Sequence, residues 1–355
     1  MDQAILRLLD ANFNRAREAI RVMEEHARMI LDDAGLTART KQLRHDLSTA
    51  AQSLGLDLMA ARDIQHDVGT TITTDSESRR LDAAAVAIAA AKRAEEALRC
   101  IEEYGKLIDS KFAASVEQIR YRLYALEQEI LLGGPRRARL RRSRLHVLLT
   151  AELCRGEWQA VAEQAISGGA DVIQLREKSL CDRELLDRGR RLRELTARHG
   201  ALLIINDRAD IARLVDADGV HLGHGDVPIP LAREIVGRNR LIGRSAHRLA
   251  DARLAQDEGA DYIGLGAMFP SPTKPDKPVA GLRLLAEVAP FVSIPIVAIG
   301  GITAENASAL ASSRIEESRP LAYQAAVCQA IIAAQNVAAA ARAIKTALMG
   351  NVEND

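Results

Sequence analysis

In the second half of the chain, two aspartates (Asp207, Asp226) and three cations (Arg176, Lys178, Lys274) each follow a short apolar run. Two carboxylates at neighbouring strand ends can share a hard cation such as Mg²⁺, which takes few carboxylates and completes its shell with phosphate oxygens. The cations suit a diphosphate. Gly300-Gly301 follows another apolar run and is expected to open a crossover helix, where backbone N–H groups bind a phosphate monoester. A diphosphate-plus-metal site beside a monophosphate site predicts two phosphorylated substrates. Singly, each element is ordinary: an Asp after a strand caps a helix, Gly-Gly makes a turn and a lysine decorates a loop. Their conjunction on successive strand ends is the signal.

Eight apolar runs bounded by turn residues position these groups, at 145–149, 171–175, 202–206, 219–222, 241–243, 262–265, 296–299 and 325–328. Helical patterns separate most of them, for example at 157–167 and 183–199. Eight short parallel strands with crossover helices in about 200 residues predict a (β/α)8 TIM barrel, whose active site lies at the C-terminal strand ends. A turn repeats within it: GADVIQL at 169–175 parallels GADYIGL at 259–265.

The region before residue 133 reads as an all-α helical domain with an internal repeat. NRAREAIRVMEEHAR at 14–28 and KRAEEALRCIEEYGK at 92–106 share seven of fifteen residues at an offset of 78. A second echo, KQLRH at 41–45 against EQIRY at 117–121, makes each copy a helical hairpin. Leu9, Phe13, Ala16, Ile20, Met23, Ala27 and Ile30 form one apolar stripe, and Ala91, Ala94, Leu98, Ile101, Gly105 and Ile108 form its counterpart. Two such stripes predict a bundle of approximate two-fold symmetry. The charges common to both copies (Arg15, Glu18, Arg21, Glu24 and Glu25 in the first) are expected to pair along the helix. Between the copies, residues 61–80 gather Arg62, Asp63, His66, Asp67, Gly69, Thr70 and Thr71 on one polar loop. Gly133-Gly134-Pro135 and six arginines from Arg136 to Arg144 read as a helix stop and solvated linker. The expected domains are therefore 1–132 helical, 133–143 linker and 144–350 barrel.

Composition narrows the function. Lys+Arg and Asp+Glu both number 48 and aromatics are 3%, against nucleic-acid binding. No apolar stretch reaches the roughly 20 residues of a membrane span. The first twenty residues are charged throughout and carry no secretory h-region, so a cytoplasmic protein is expected. Cys100, Cys154, Cys181 and Cys328 form no C-x-x-C pair and read as small neutral side chains. His221, His224 and His247 read equally well as turn packing or loop polarity, and no general base is assigned.

DVIQLREK, INDRADIA, DGVHLGHGD, IGRSAH, GLGAMFPSPTK and IPIVAIGGI occur in this order. Over about 144–348 the chain resembles the thiamine phosphate synthase family, also called thiamine-phosphate pyrophosphorylase. The resemblance implies a (β/α)8 barrel that condenses hydroxymethylpyrimidine diphosphate with a thiazole phosphate. It implies that Gln174, Arg176, Lys178, Asn206, Ser245 and Lys274 bind the pyrimidine diphosphate and that Asp207 and Asp226 hold Mg²⁺. It further implies that Ser271, Pro272, Thr273 and Gly301 line the thiazole phosphate site, with backbone donors from Cys328 and Gln329. LDANFNRAREAIRVMEE, ARDIQHDVGT and EEALRCIEEYGK resemble a helical extension preceding this barrel in some bacterial enzymes. For that extension the resemblance implies either phosphorylation of hydroxymethylpyrimidine phosphate or a dimerising or regulatory role; no P-loop is present. One departure stands out. The family's Gly-Ala-Asp-Gly-like turn before strand eight is missing, and no glycine lies between Gly301 and Gly350. The 308–326 segment is also about two helical turns longer than the family's. This keeps two alternatives open: a catalytically impaired barrel with a binding or regulatory role, and a thiazole tautomerase. Both substrates are small molecules, and a homo-oligomer stays open.

Overall fold

The computed structural model describes residues 2–62, 80–270, 279–312 and 324–349. Ser271, Pro272, Thr273, Lys274 and nearly all of the polar loop after Arg62 lie outside the described residues. The chain divides into two compact units, Met1–Ala138 and Arg139–Asp355.

The first unit contains α1 (Gln3–Glu25), α2 (Ala34–Ser53), α3 (Ala83–Gly105) and α4 (Ser110–Gln128). Each starts at an aspartate whose carboxylate accepts a backbone N–H of the first turn: Asp2, Asp33, Asp82 and Asp109. The two predicted stripes are buried against each other, Leu9, Ala16, Ile20 and Met23 with Ala91, Ala94, Leu98 and Ile101. Ile30 is exposed instead, because a wider π-helical turn at His26–Ile30 rotates the stripe away.

The repeated charges divide into two groups. Arg21 bonds Glu24 and Glu25, and Arg99 bonds Glu102 and Glu103, along the helix as expected. Arg15, Glu18, Arg93 and Glu96 are exposed and make no such pair among the described residues. The second echo has a physical cause. Arg44 reaches Glu24 at 2.9 Å and Arg120 reaches Glu102 at 2.8 Å, so each hairpin is closed by the same ion pair.

The expected helix stop is not one. Glu129–Gly133 forms another π-helical turn and runs directly into α5 (Gly134–Arg142). That wide turn leaves Pro135 in the first turn of the next helix, where its missing N–H needs no partner. The division between the units falls inside this helix.

The second unit is a closed eight-stranded parallel barrel. Its strands and helices alternate: β1 (Leu145–Leu149), α6 (Trp158–Ser167), β2 (Val172–Leu175), α7 (Asp182–His199), β3 (Leu202–Asn206), α8 (Ala209–Leu214), β4 (Gly219–Leu222), α9 (Ile229–Val236), β5 (Leu241–Ala246), α10 (Leu249–Asp257), β6 (Tyr262–Gly266), α11 (Gly281–Val288), β7 (Ile296–Ile299), α12 (Ala307–Ser312), β8 (Gln324–Val327), α13 (Gln329–Ile332) and α14 (Val337–Met349). The apolar faces between strands and helices form the main core. The repeated turn is a clamp. Asp171 before β2 accepts the backbone N–H groups of Arg144 and Leu145. Asp218 before β4 accepts Leu203 N–H, and Asp261 before β6 accepts Ile242 N–H. Each aspartate thus ties an even strand to the odd strand before it.

β8 has no such aspartate. It nevertheless pairs with both β7 and β1 and closes the barrel. Gln324 anchors it from below, donating to Leu140 O at 2.6 Å and bonding His146 Nε2 at 2.7 Å. Leu140 itself is buried among Leu148, Val172, Leu202, Leu241 and Tyr262 and plugs the barrel floor. Residues expected to be solvated linker therefore complete the barrel. Among the described residues, no helix is long and apolar enough to cross a membrane.

Candidate active site

A cavity of about 350 Å³ opens at the C-terminal strand ends. Alternation along each strand sends every second residue inward, which brings Gln174, Asn206, His221, Ser245 and Tyr262 to its wall. Arg176 and Lys178 line it from just beyond β2, and Asp207 from just beyond β3. The half-buried Arg176 guanidinium has no protein partner among the described residues. Lys178 Nζ lies 3.2 Å from Asp207 Oδ2.

Asp207 adopts a left-handed backbone with φ of 64°, held by its N–H on His221 O at 2.8 Å. Such a conformation in a residue with a side chain is a local strain that recurs at functional sites. Asp226 follows β4, and its Oδ2 accepts Gly223 N–H at 2.6 Å. Burial raises the Asp226 carboxyl above the usual carboxylate range, and the adjacent Asp207 carboxylate raises it further. Two oxygen-donor groups facing each other in this way fit a shared hard cation. No cluster of three or more His, Cys, Asp or Glu that could hold a metal occurs among the described residues. Substrate oxygens and water would have to complete a shell here.

Neither glycine of Gly300-Gly301 opens a helix; α12 begins at Ala307. Both take positive φ, 103° and 65°. A Cβ at position 301 would collide with the carbonyl oxygens of Phe269 and Pro270, so this turn excludes any larger residue. Cys328 directly follows β8, and Gln329 starts the single-turn α13. Burial pushes the Cys328 and Cys154 thiols up, the latter to about 11, which leaves both neutral.

His224 and His247 stack on each other with centroids 5.5 Å apart. His247 Nδ1 bonds Gly266 O at 2.8 Å, and His224 Nε2 lies 3.6 Å from Asp251. Both also line the cavity rim, so packing and loop polarity do not exhaust their placement. His221 lines the cavity deeper in the barrel, and burial lowers its pKa to about 4. Tyr262 and His146 line the same wall and were not anticipated from the sequence. Their signal was the period-two alternation of the strands, with glycines opposite the rings: Gly243 pairs with both His221 and Tyr262.

Comparison with known proteins agrees with this architecture. A thiamine monophosphate synthase family model (TMP-TENI) matches residues 145–319, and the ThiD2 family model matches residues 7–129. A thiamine-phosphate synthase of Rhodopirellula baltica is 42% identical over 88% of this chain and 86% of its own length. One from Thermosynechococcus vestitus is 41% identical over 96% of this chain and 94% of its own. Among solved structures, the thiamine phosphate pyrophosphorylase of Pyrococcus furiosus superposes with a TM-score of 0.53 at 36% identity, covering 60% of this chain and 98% of that one. These matches run over most of both chains, and the chain belongs to the thiamine-phosphate synthase family.

Proposed function

We propose that the barrel condenses hydroxymethylpyrimidine diphosphate with a thiazole phosphate to give thiamine phosphate and pyrophosphate. One observation carries the reading: Arg176, whose guanidinium has no protein partner among the described residues, shares one cavity with Lys178 and Asp207, and the Asp207 carboxylate in turn faces that of Asp226. Such a set suits a diphosphate with a divalent cation and nothing simpler. Asp207 and Asp226 would hold Mg²⁺, which supplies positive charge to the departing diphosphate.

The chemistry needs no protein nucleophile. The 4-amino group of the pyrimidine donates electrons toward the methylene carbon as the C–O bond to diphosphate breaks. The thiazole nitrogen lone pair then forms the C–N bond, and pyrophosphate leaves. The residues hold the two reactants in line and stabilise the leaving group. Arg176 and Lys178 face the diphosphate; Gln174, Asn206 and Ser245 face the ring. Gly301, Cys328 and Gln329, with Ser271, Pro272, Thr273 and Lys274, are assigned to the phosphate ends by the family resemblance.

The closed barrel with β8 in place supports a working enzyme over an impaired one, and the paired aspartates support diphosphate chemistry over tautomerisation. The helical unit is assigned the preceding step, phosphorylation of hydroxymethylpyrimidine phosphate, on its match to the ThiD2 family. The chain is assigned to the cytoplasm. Calorimetric titration with pyrophosphate tests the site. Binding should require Mg²⁺ and weaken at least about tenfold in Arg176→Ala. Equal binding with and without Mg²⁺ would refute the metal assignment.

A further inference from the structure

A hydrogen-bonded chain crosses the barrel interior along the cavity wall. His221 on β4 pairs in register with Gly243 on β5, which pairs with Tyr262 on β6. The middle residue has no side chain, and a Cβ there would fall on the Tyr262 ring. Likewise a Cβ at Gly264 would come within 2.9 Å of His221 Cε1. The two glycines therefore let the rings meet, with centroids 5.5 Å apart. His221 Nδ1 lies 3.2 Å from the Tyr262 hydroxyl, and Nε2 lies 3.1 Å from Ser245 Oγ.

Proton direction along this chain follows from its buried end. Tyr262 is 1% exposed, and Nδ1 is the acceptor its hydroxyl reaches. Leaving a buried phenol proton unpaired costs about 1–3 kcal/mol. Tyr262 therefore donates to Nδ1, and the ring proton sits on Nε2. Nε2–H donates to Ser245 Oγ, which frees the serine's own proton. The reverse tautomer would make Ser245 donate to the imidazole and show the cavity only lone pairs.

We propose that Tyr262 and His221 are positioning residues that turn the Ser245 hydroxyl proton into the cavity, where it selects a ring-nitrogen acceptor on the aminopyrimidine. This rests on reading the cavity as the pyrimidine diphosphate site. Ser245 shares that wall with Gln174 and Asn206, whose amides offer both donors and acceptors. Unlike those amides, which can rotate to suit either group, the fixed donor distinguishes a ring nitrogen from a ring C–H.

Two measurements on the full-length protein test it. Long-range ¹H–¹⁵N correlation spectra of the ligand-free, ¹⁵N-histidine-labelled protein, with His221 assigned through His221→Asn, should show the Nε2–H tautomer. An Nδ1–H tautomer would overturn the proposal without reference to any activity. In steady-state assays, Ser245→Ala and Tyr262→Phe should each raise KM for the pyrimidine diphosphate about tenfold, the cost of one hydrogen bond. KM for the thiazole phosphate should not change. The double variant should be no worse than Ser245→Ala alone, because Tyr262 acts through the serine. Additive losses, or a rise in both KM values, would reduce Tyr262 to a packing residue and overturn the proposal. Absence of wild-type turnover would instead remove the reading of the cavity while leaving the tautomer result standing.

Discussion

Asp207 shows how one residue can carry both strain and chemistry. Its left-handed backbone turns the chain sharply at the end of β3, so the carboxylate projects over the cavity toward Lys178 and Asp226. Asparagine also tolerates that conformation. Asp207→Asn should therefore keep its melting temperature while losing at least about a hundredfold in kcat/KM. Near-normal turnover would remove Asp207 from the metal site. His146 offers a different residue-scale test. Buried in the barrel floor against Gln324, it has a pKa lowered to about 4 by desolvation. The unfolded chain binds that proton near pH 6.5, so the folded state loses stability as pH falls from about 6.5 toward 4. The full effect is on the order of 3 kcal/mol. Urea midpoints measured across that window should fall more steeply for the wild type than for His146→Asn.

At the scale of elements, the sequence carried most of the fold because local and tertiary signals agree. Every barrel strand was legible within about three residues, since each is a buried apolar run ending at a turn. The helical repeat was legible because the same ion pair closes both hairpins. Glu102 is 2% exposed and bonds Arg99 and Arg120. Removing one partner of a buried pair strands the other charge. Glu102→Ala should lower stability by about 3–5 kcal/mol by denaturant titration, whereas the exposed Glu96→Ala should change it by less than about 0.5 kcal/mol. What was not legible depends on register or on long-range packing. The placement of Tyr262 against Gly243 is invisible until the strands are paired. The helical course of Gly134–Arg142 was hidden by its Gly-Pro composition, and a π-helical turn overrode that signal.

For the whole molecule, the barrel's lower boundary separates two accounts of the domains. Pattern alone starts the barrel at 144, but Leu140 fills its floor and accepts from Gln324. The Pyrococcus furiosus enzyme aligns over 98% of its length with only 60% of this chain, so a barrel of this kind stands alone there. A truncation starting at Arg139 should remain folded and active, and one starting at Arg144 should melt lower by several degrees. Equal melting temperatures would show that the plug adds nothing. Of the expected site residues, Arg176, Lys178 and Asp207 come to the cavity wall, because strand-end charges survive any small error in strand length. Backbone donors such as those at Gly301 leave no comparable trace in side-chain pattern. The central claim is that one cavity joins a diphosphate-bearing pyrimidine to a thiazole phosphate. Pyrophosphate release by the purified full-length protein tests it most directly. Release should require both substrates and Mg²⁺, with thiamine phosphate formed in equal amount. Release from the pyrimidine diphosphate alone, or none with both substrates bound, would contradict the account.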